Sequence, residues 1–230
     1  MKYLIVFAVL LAIYIVGVLL AKYLVKYKTT VNVIFAILIF ASYFYVVRYM
    51  YHDVGVKDWN FKNTLPTANV SPFMFCLTPI TLLMPRAIRK YLFTLVALLS
   101  LGMVVAGLGG ALGFMARDYK FHLHITMDCL AHVLISLWGV YLAKSGQVEL
   151  TLKRALCGGS IIVGVAGMML VLNLIFKTAF FGLSLYGEHN IYNNKIFESG
   201  IVSALAYFVG LCFVLCAGYF YQKVLNLKRK

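Results

Sequence analysis

The fold class that this sequence predicts is an all-α polytopic membrane bundle of seven transmembrane helices, one membrane domain over residues 1–230. Three observations predict it. The chain is 63% hydrophobic and 12% charged, with a mean hydropathy of +0.91, far from the balance of a soluble domain. Its apolar residues fall in seven long blocks, each close to the length of about 20 residues that a helix needs to cross the hydrocarbon core. The basic residues between those blocks are unevenly shared between the two sides.

The first block, Tyr3–Ala21, follows Lys2 and ends in Lys22, Lys26 and Lys28. It has no small-residue cleavage site, so it reads as a retained span rather than a signal peptide. Val31–Val47 is the second. The third, Ala68–Met84, is interrupted by Pro72 and Pro79 and opens on the polar stretch from Thr67 to Ser71. Neighbouring helices can satisfy the carbonyls that such prolines free, and six spans remain if this segment is re-entrant. The fourth, Tyr91–Met115, runs Gly102, Ala106, Gly110 at four-residue spacing, with Gly109 and Gly113 on an adjacent ridge. The fifth is Ile125–Ala143. The sixth, Ala155–Phe176, carries Gly158, Gly159, Ser160, Gly164 and Gly167. Small residues let membrane helices approach closely, so the fourth and sixth spans are expected in the bundle interior. Ser199–Tyr221 is the seventh. No linker is long enough for a soluble domain.

Sorted by loop, 13 of the 21 lysines and arginines fall on one side: Lys22, Lys26, Lys28, Arg86, Arg89, Lys90, Lys144, Lys153, Arg154, Lys223, Lys228, Arg229 and Lys230. The positive-inside asymmetry makes that side cytoplasmic, with the N-terminus outside and the C-terminus inside. A net charge of +14 is then a membrane feature, attractive to anionic headgroups. No basic stripe tracks a phosphate backbone, so nucleic acid is not an expected partner. The five cysteines, Cys76, Cys129, Cys157, Cys212 and Cys216, all lie in or at the ends of apolar blocks. That odd count and placement fit free thiols rather than a disulfide framework. Cys212 and Cys216 share a helix face, but no histidine or acid stands beside them, and packing is the better reading.

Polar groups inside a membrane are costly and so informative. His124, Asp128 and His132 are spaced by four on the fifth span, which puts all three on one helix face. A carboxylate one turn from an imidazole can fix its tautomer and raise its basicity. His122 and His124 also suit the outer interface, where polar rings are at home. Cys76, on the third span, lies at a comparable depth: about 12 Å from the cytoplasmic end, against about 17 Å for His132, at 1.5 Å rise per residue. A thiol beside an imidazole is a nucleophile and base.

Three stretches carry a family likeness: Ser71-Pro72-Phe73-Met74-Phe75-Cys76-Leu77, Gly109-Gly110-Ala111-Leu112 and Leu130-Ala131-His132-Val133. They resemble the bacterial YwaF-type integral membrane family. That family is related to a vertebrate transmembrane acyltransferase acting on ether phospholipids and, more distantly, to the androgen-induced membrane hydrolases of fatty-acid esters. The likeness covers most of the chain in hydropathy and the region from Pro72 to His132 in motif. It departs at Met74, where bacterial members usually carry histidine, and at Asn190 and Tyr192, which stand near the place of an Asn-Tyr pair. The resemblance implies a cysteine nucleophile at Cys76 and a catalytic histidine at His132. The expected chemistry is acyl transfer from a membrane lipid ester to a hydroxyl or water. Asp128 or His124 would orient His132, and Asn173 would donate to the oxyanion. No cofactor or metal is required, although His122, His124, Asp128 and His132 form a cluster able to hold a metal. The alternative is a substrate-binding or transport membrane subunit without catalysis, and an inert structural protein is a third reading.

Overall fold

The computed structural model describes residues 2–55, 57, 64–67, 69–116, 121–176, 180–183 and 200–226. Its helices are α1 (Lys2–Leu20), α2 (Lys28–Tyr49), α3 (Val70–Ile80), α4 (Arg86–Ala116), α5 (Leu123–Lys144), α6 (Leu152–Phe176) and α7 (Gly200–Asn226). A 3₁₀ turn, Leu24–Tyr27, precedes α2, and a π-helical turn, Met50–Val54, extends it. Six helices among the described residues are long and apolar enough to cross a membrane. This is an all-α polytopic bundle of the kind its hydropathy predicts.

Successive helices alternate in direction. At one end, the Lys144 ammonium donates to Val18 O and the Tyr141 hydroxyl to Leu24 O, joining the ends of α1 and α5 near the start of α2. At the other end, Tyr3 accepts from the His122 backbone N–H and its ring packs on Phe114. We call these the C-terminal and N-terminal ends of the bundle, after the chain terminus nearest each.

The third segment is where the structure departs from seven equal spans. α3 has 11 residues, followed by a 3₁₀ turn at Thr81–Leu83, so its α-helical part is about 16 Å long against a hydrocarbon core of about 30 Å. Val70 and Ser71 line the same groove as Leu99, Gly102, Met103 and Ala106 of α4, so α3 begins beside the middle of α4. It ends near the start of that helix, where Arg89 donates twice to Met84 O. α3 itself therefore spans only about half of the core. Asn69 caps its start, its side-chain oxygen accepting from Val70 N at 2.8 Å, and Pro72 falls in the first turn, where no helical donor is lost. Pro79 lies inside the helix. With no N–H, it leaves the Phe75 carbonyl without its helical donor, and the chain tightens into the 3₁₀ turn just beyond.

α4 and α5 form the most extensive helix pair. An added Cβ at Gly139 would come within 2.7 Å of Val96 O, and one at Gly107 within 2.8 Å of Cys129 O. Bare backbone at those two points lets the antiparallel helices touch near both ends of the seam. α7 packs on α4 where Gly218 faces the Leu98 carbonyl and Gln222 donates to Ser100 Oγ at 2.7 Å. The expectation that α4 and α6 are both interior holds for α4 alone. In their apolar windows α4 is 67% buried, α5 72% and α6 only 33%. Gly158 of α6 fits against Thr94, but a Cβ at Gly164 or Gly167 would meet nothing within 4 Å. Small residues permit close packing; they do not supply the neighbour.

Candidate functional site

Cys76 sits halfway along α3 and is half-buried. Its polar neighbour is the Tyr43 hydroxyl of α2. That hydroxyl donates its proton to Thr64 O at 2.6 Å, which ties α2 to the chain ahead of α3. A hydroxyl has one proton to give, so toward the thiol Tyr43 presents acceptor lone pairs. Phe75, the preceding residue, is fully buried and meets Tyr43 on one side, with ring centroids 5.5 Å apart. On another side it stands edge-on to the His132 ring at 4.9 Å.

His132 is 8% exposed. Its Nδ1 lies 2.8 Å from the backbone oxygen of Asp128, one turn earlier on α5. A carbonyl only accepts, so Nδ1 carries the hydrogen and the neutral ring keeps its basic lone pair on Nε2. The Asp128 carboxylate stands 3.7 Å from the same nitrogen, is 45% exposed, and adds a field rather than a hydrogen bond. Behind the imidazole, α4 comes close at Gly107, where an added Cβ would lie 3.1 Å from His132 Cβ. The ring is thus held by its own helix, by Phe75 and by a bare stretch of α4.

Above this level, toward the N-terminal end, a cavity of about 630 Å³ opens between α2, α3, α4 and α5. Tyr43, Tyr49, Phe75, Phe114, His124 and Asp128 are on its walls. His124 stacks on Tyr49 at 4.3 Å, and its Nδ1 has no hydrogen-bond partner among the described residues.

The structure brings His132, Asp128 and Phe75 together, and Cys76 with Tyr43. No hydrogen bond joins the Cys76 thiol to His132; Phe75 supplies the contact between their helices. His124 lies two turns from His132, engaged with Tyr49 rather than oriented on the imidazole. Asn173 needs a correction. Its Nδ2 donates to Phe180 O at 2.9 Å and Leu183 O at 2.8 Å, while its Oδ1 accepts from Phe180 N at 2.7 Å. Both amide hydrogens are spent, leaving none for an oxyanion. Asn173 instead folds the chain after α6 into a turn in which Phe181 adopts φ 57°, a costly conformation for a residue with a Cβ. Phe181 then buries its ring against Phe73 and donates its N–H to Thr67 O at 2.8 Å.

Asn190 and Tyr192 lie outside the described residues. Among those described, no three His, Cys, Asp or Glu side chains converge as metal ligands, and Cys212 and Cys216 face an apolar groove between α6 and α7. Tyr43, Phe75 and Gly107 escaped the sequence reading. With 16 tyrosines, 17 phenylalanines and 18 glycines in the chain, composition marks none of them out; only adjacency to Cys76 singles out Phe75. Comparison with protein-family models, with curated proteins and with solved structures found no match to this chain.

Proposed function

We propose that this integral membrane protein is a thiol-dependent lipid acyltransferase or lipid-ester hydrolase, with Cys76 as nucleophile and His132 as base. The observation that carries the reading is the His132 tautomer: Nδ1–H held by the Asp128 carbonyl, Nε2 left basic in a buried setting. Phe75 contributes by packing α3 against that imidazole one residue from the thiol. The likeness to the YwaF-type family, carried by the stretches around Cys76 and His132, points the same way.

In the proposed cycle the Cys76 thiol leaves Tyr43 and turns toward His132 Nε2, which takes its proton. The thiolate attacks a lipid ester carbonyl, the ester C–O bond breaks, and the departing alkoxide takes the proton back from His132. A thioester remains on Cys76. A second lipid hydroxyl, or water, then gives its proton to His132 and attacks the thioester; the C–S bond breaks and the protonated imidazole returns its proton to the thiolate. The acceptor decides between transferase and hydrolase. We place the N-terminal end outside and the lysine-rich C-terminal end in the cytoplasm, on the asymmetry of basic residues.

The test is lipid mass spectrometry on purified protein in phospholipid vesicles, with detection of an acylated Cys76 peptide. Cys76→Ala and His132→Ala should each abolish acyl movement in protein that remains folded; activity in either variant sinks the proposal. A second reading, substrate binding or transport, draws on the short, proline-interrupted α3, since broken helices line the sites of many transporters. It expects solute uptake that survives Cys76→Ala, with no acyl-enzyme.

A further inference from the structure

The cavity at the N-terminal end has a composition that selects a charge type. Its described walls hold the rings of Tyr43, Tyr49, Phe75 and Phe114, the imidazoles of His122 and His124 and the Asp128 carboxylate, and no lysine or arginine. That is unusual in a chain with a net charge of +14. An anionic ligand would meet that carboxylate with no lysine or arginine to offset it. An acyl chain would leave that carboxylate facing hydrocarbon, where ionised groups are disfavoured. An organic cation satisfies both features: ring faces attract it through their quadrupoles, and the carboxylate neutralises it. Ligand pockets of about 300–1,000 Å³ take molecules of headgroup size and larger, and this one is about 630 Å³.

We propose that this cavity binds an alkylammonium group, supplied by the headgroup of a zwitterionic phospholipid. Its floor is made by the residues that touch the catalytic pair. Tyr43 neighbours Cys76, Phe75 meets His132, and Asp128 holds the His132 Nδ1–H through its carbonyl. An ammonium seated among the rings leaves the rest of the lipid directed toward that floor. The inference deepens the acyl-transfer reading by naming the substrate's headgroup, while binding itself can be measured without catalysis.

The experiment uses the full chain in lipid nanodiscs and counts retained lipids by native mass spectrometry in mixtures of phosphatidylcholine, phosphatidylethanolamine and phosphatidylglycerol. Either ammonium lipid should be retained over phosphatidylglycerol by about tenfold or more, equivalent to about 1.4 kcal/mol. Asp128→Asn and Tyr49→Leu should each remove most of that preference, while Asp128→Glu and Tyr49→Phe, which keep the charge or the ring, should retain it. Cys76→Ala should bind as the wild type does. Free choline distinguishes the source: displacement of the lipid only at large excess supports a headgroup site, whereas tight choline binding without bound lipid overturns the lipid assignment. Equal retention of the anionic lipid, or a preference indifferent to all four wall variants, overturns the proposal. Ammonium selectivity without any acyl transfer would defeat the enzyme reading and leave this one standing.

Discussion

His132 Nδ1 donates to the main-chain oxygen of Asp128 at 2.8 Å, while the carboxylate of the same residue stands 3.7 Å away. The group that sets the imidazole tautomer is thus part of the helix itself. A side chain can be mutated away; a backbone carbonyl cannot. This separates the arrangement from a triad whose third member is a carboxylate, and the difference can be measured.

Asp128→Asn should leave the His132 tautomer intact, because the carbonyl remains. On the acyl-transfer reading kcat should fall by less than about tenfold, with the larger effect on KM through the cavity wall. A carboxylate acting as third member of a triad predicts a loss on the order of 10⁴ in kcat instead. Steady-state kinetics on the vesicle-reconstituted variant decide between them.

Gly107→Ala should strain the seam between α4 and α5 where it backs His132. The new methyl would lie 2.8 Å from Cys129 O and 3.1 Å from His132 Cβ, so one helix must shift. Overpacking of this kind costs about 1–3 kcal/mol. Gly109→Ala, two residues on, meets nothing within 4 Å and should leave stability unchanged or slightly raised. Thermal unfolding in detergent compares the two, and equal effects would contradict the register described above.

Asn173→Ala should destabilise the protein rather than damage a catalytic step. The Leu183 carbonyl and the Phe180 N–H lose their Asn173 partner, while the Phe180 carbonyl keeps only the Leu183 N–H, and each unsatisfied buried group costs about 1–3 kcal/mol. Any loss of activity should track the loss of folded protein, with kcat per folded molecule retained. A fully folded variant with a reduced kcat would restore the oxyanion role.

Reporter fusions at Lys28, Arg89 and Lys144 should all report the same compartment, and on the charge asymmetry that compartment is the cytoplasm. The alternation of helices requires the third segment to change sides even though α3 is short. A disagreement between Arg89 and Lys28 would mean that the segment turns back within the membrane.

Most of the bundle was legible from hydropathy, because membrane crossing is a local property. A run of about 20 apolar residues hides its backbone polar groups by helix formation within the run itself. Six helices follow their predicted blocks closely for that reason. The third block shows the boundary of this logic: Pro72, Pro79 and the polar opening mark it as irregular, but how much of it is helical depends on outside partners. Tyr43 engages Thr64 O and Phe181 N engages Thr67 O, and both come from distant parts of the chain.

The site divides along the same line. The four-residue spacing of Asp128 and His132 is a statement about one helix, and the sequence determined it alone. Which neighbour each group meets was decided by packing between helices. Cys76 reaches Tyr43, Phe75 takes the edge contact with His132, and Asn173 turns to a loop. The glycines make the point most plainly: Gly107 and Gly109 are chemically identical and lie on one helix, yet only Gly107 faces another backbone. Successive helical residues point about 100° apart, so a two-residue offset turns a contact surface away from its partner, and rotation about the helix axis is set by the rest of the bundle.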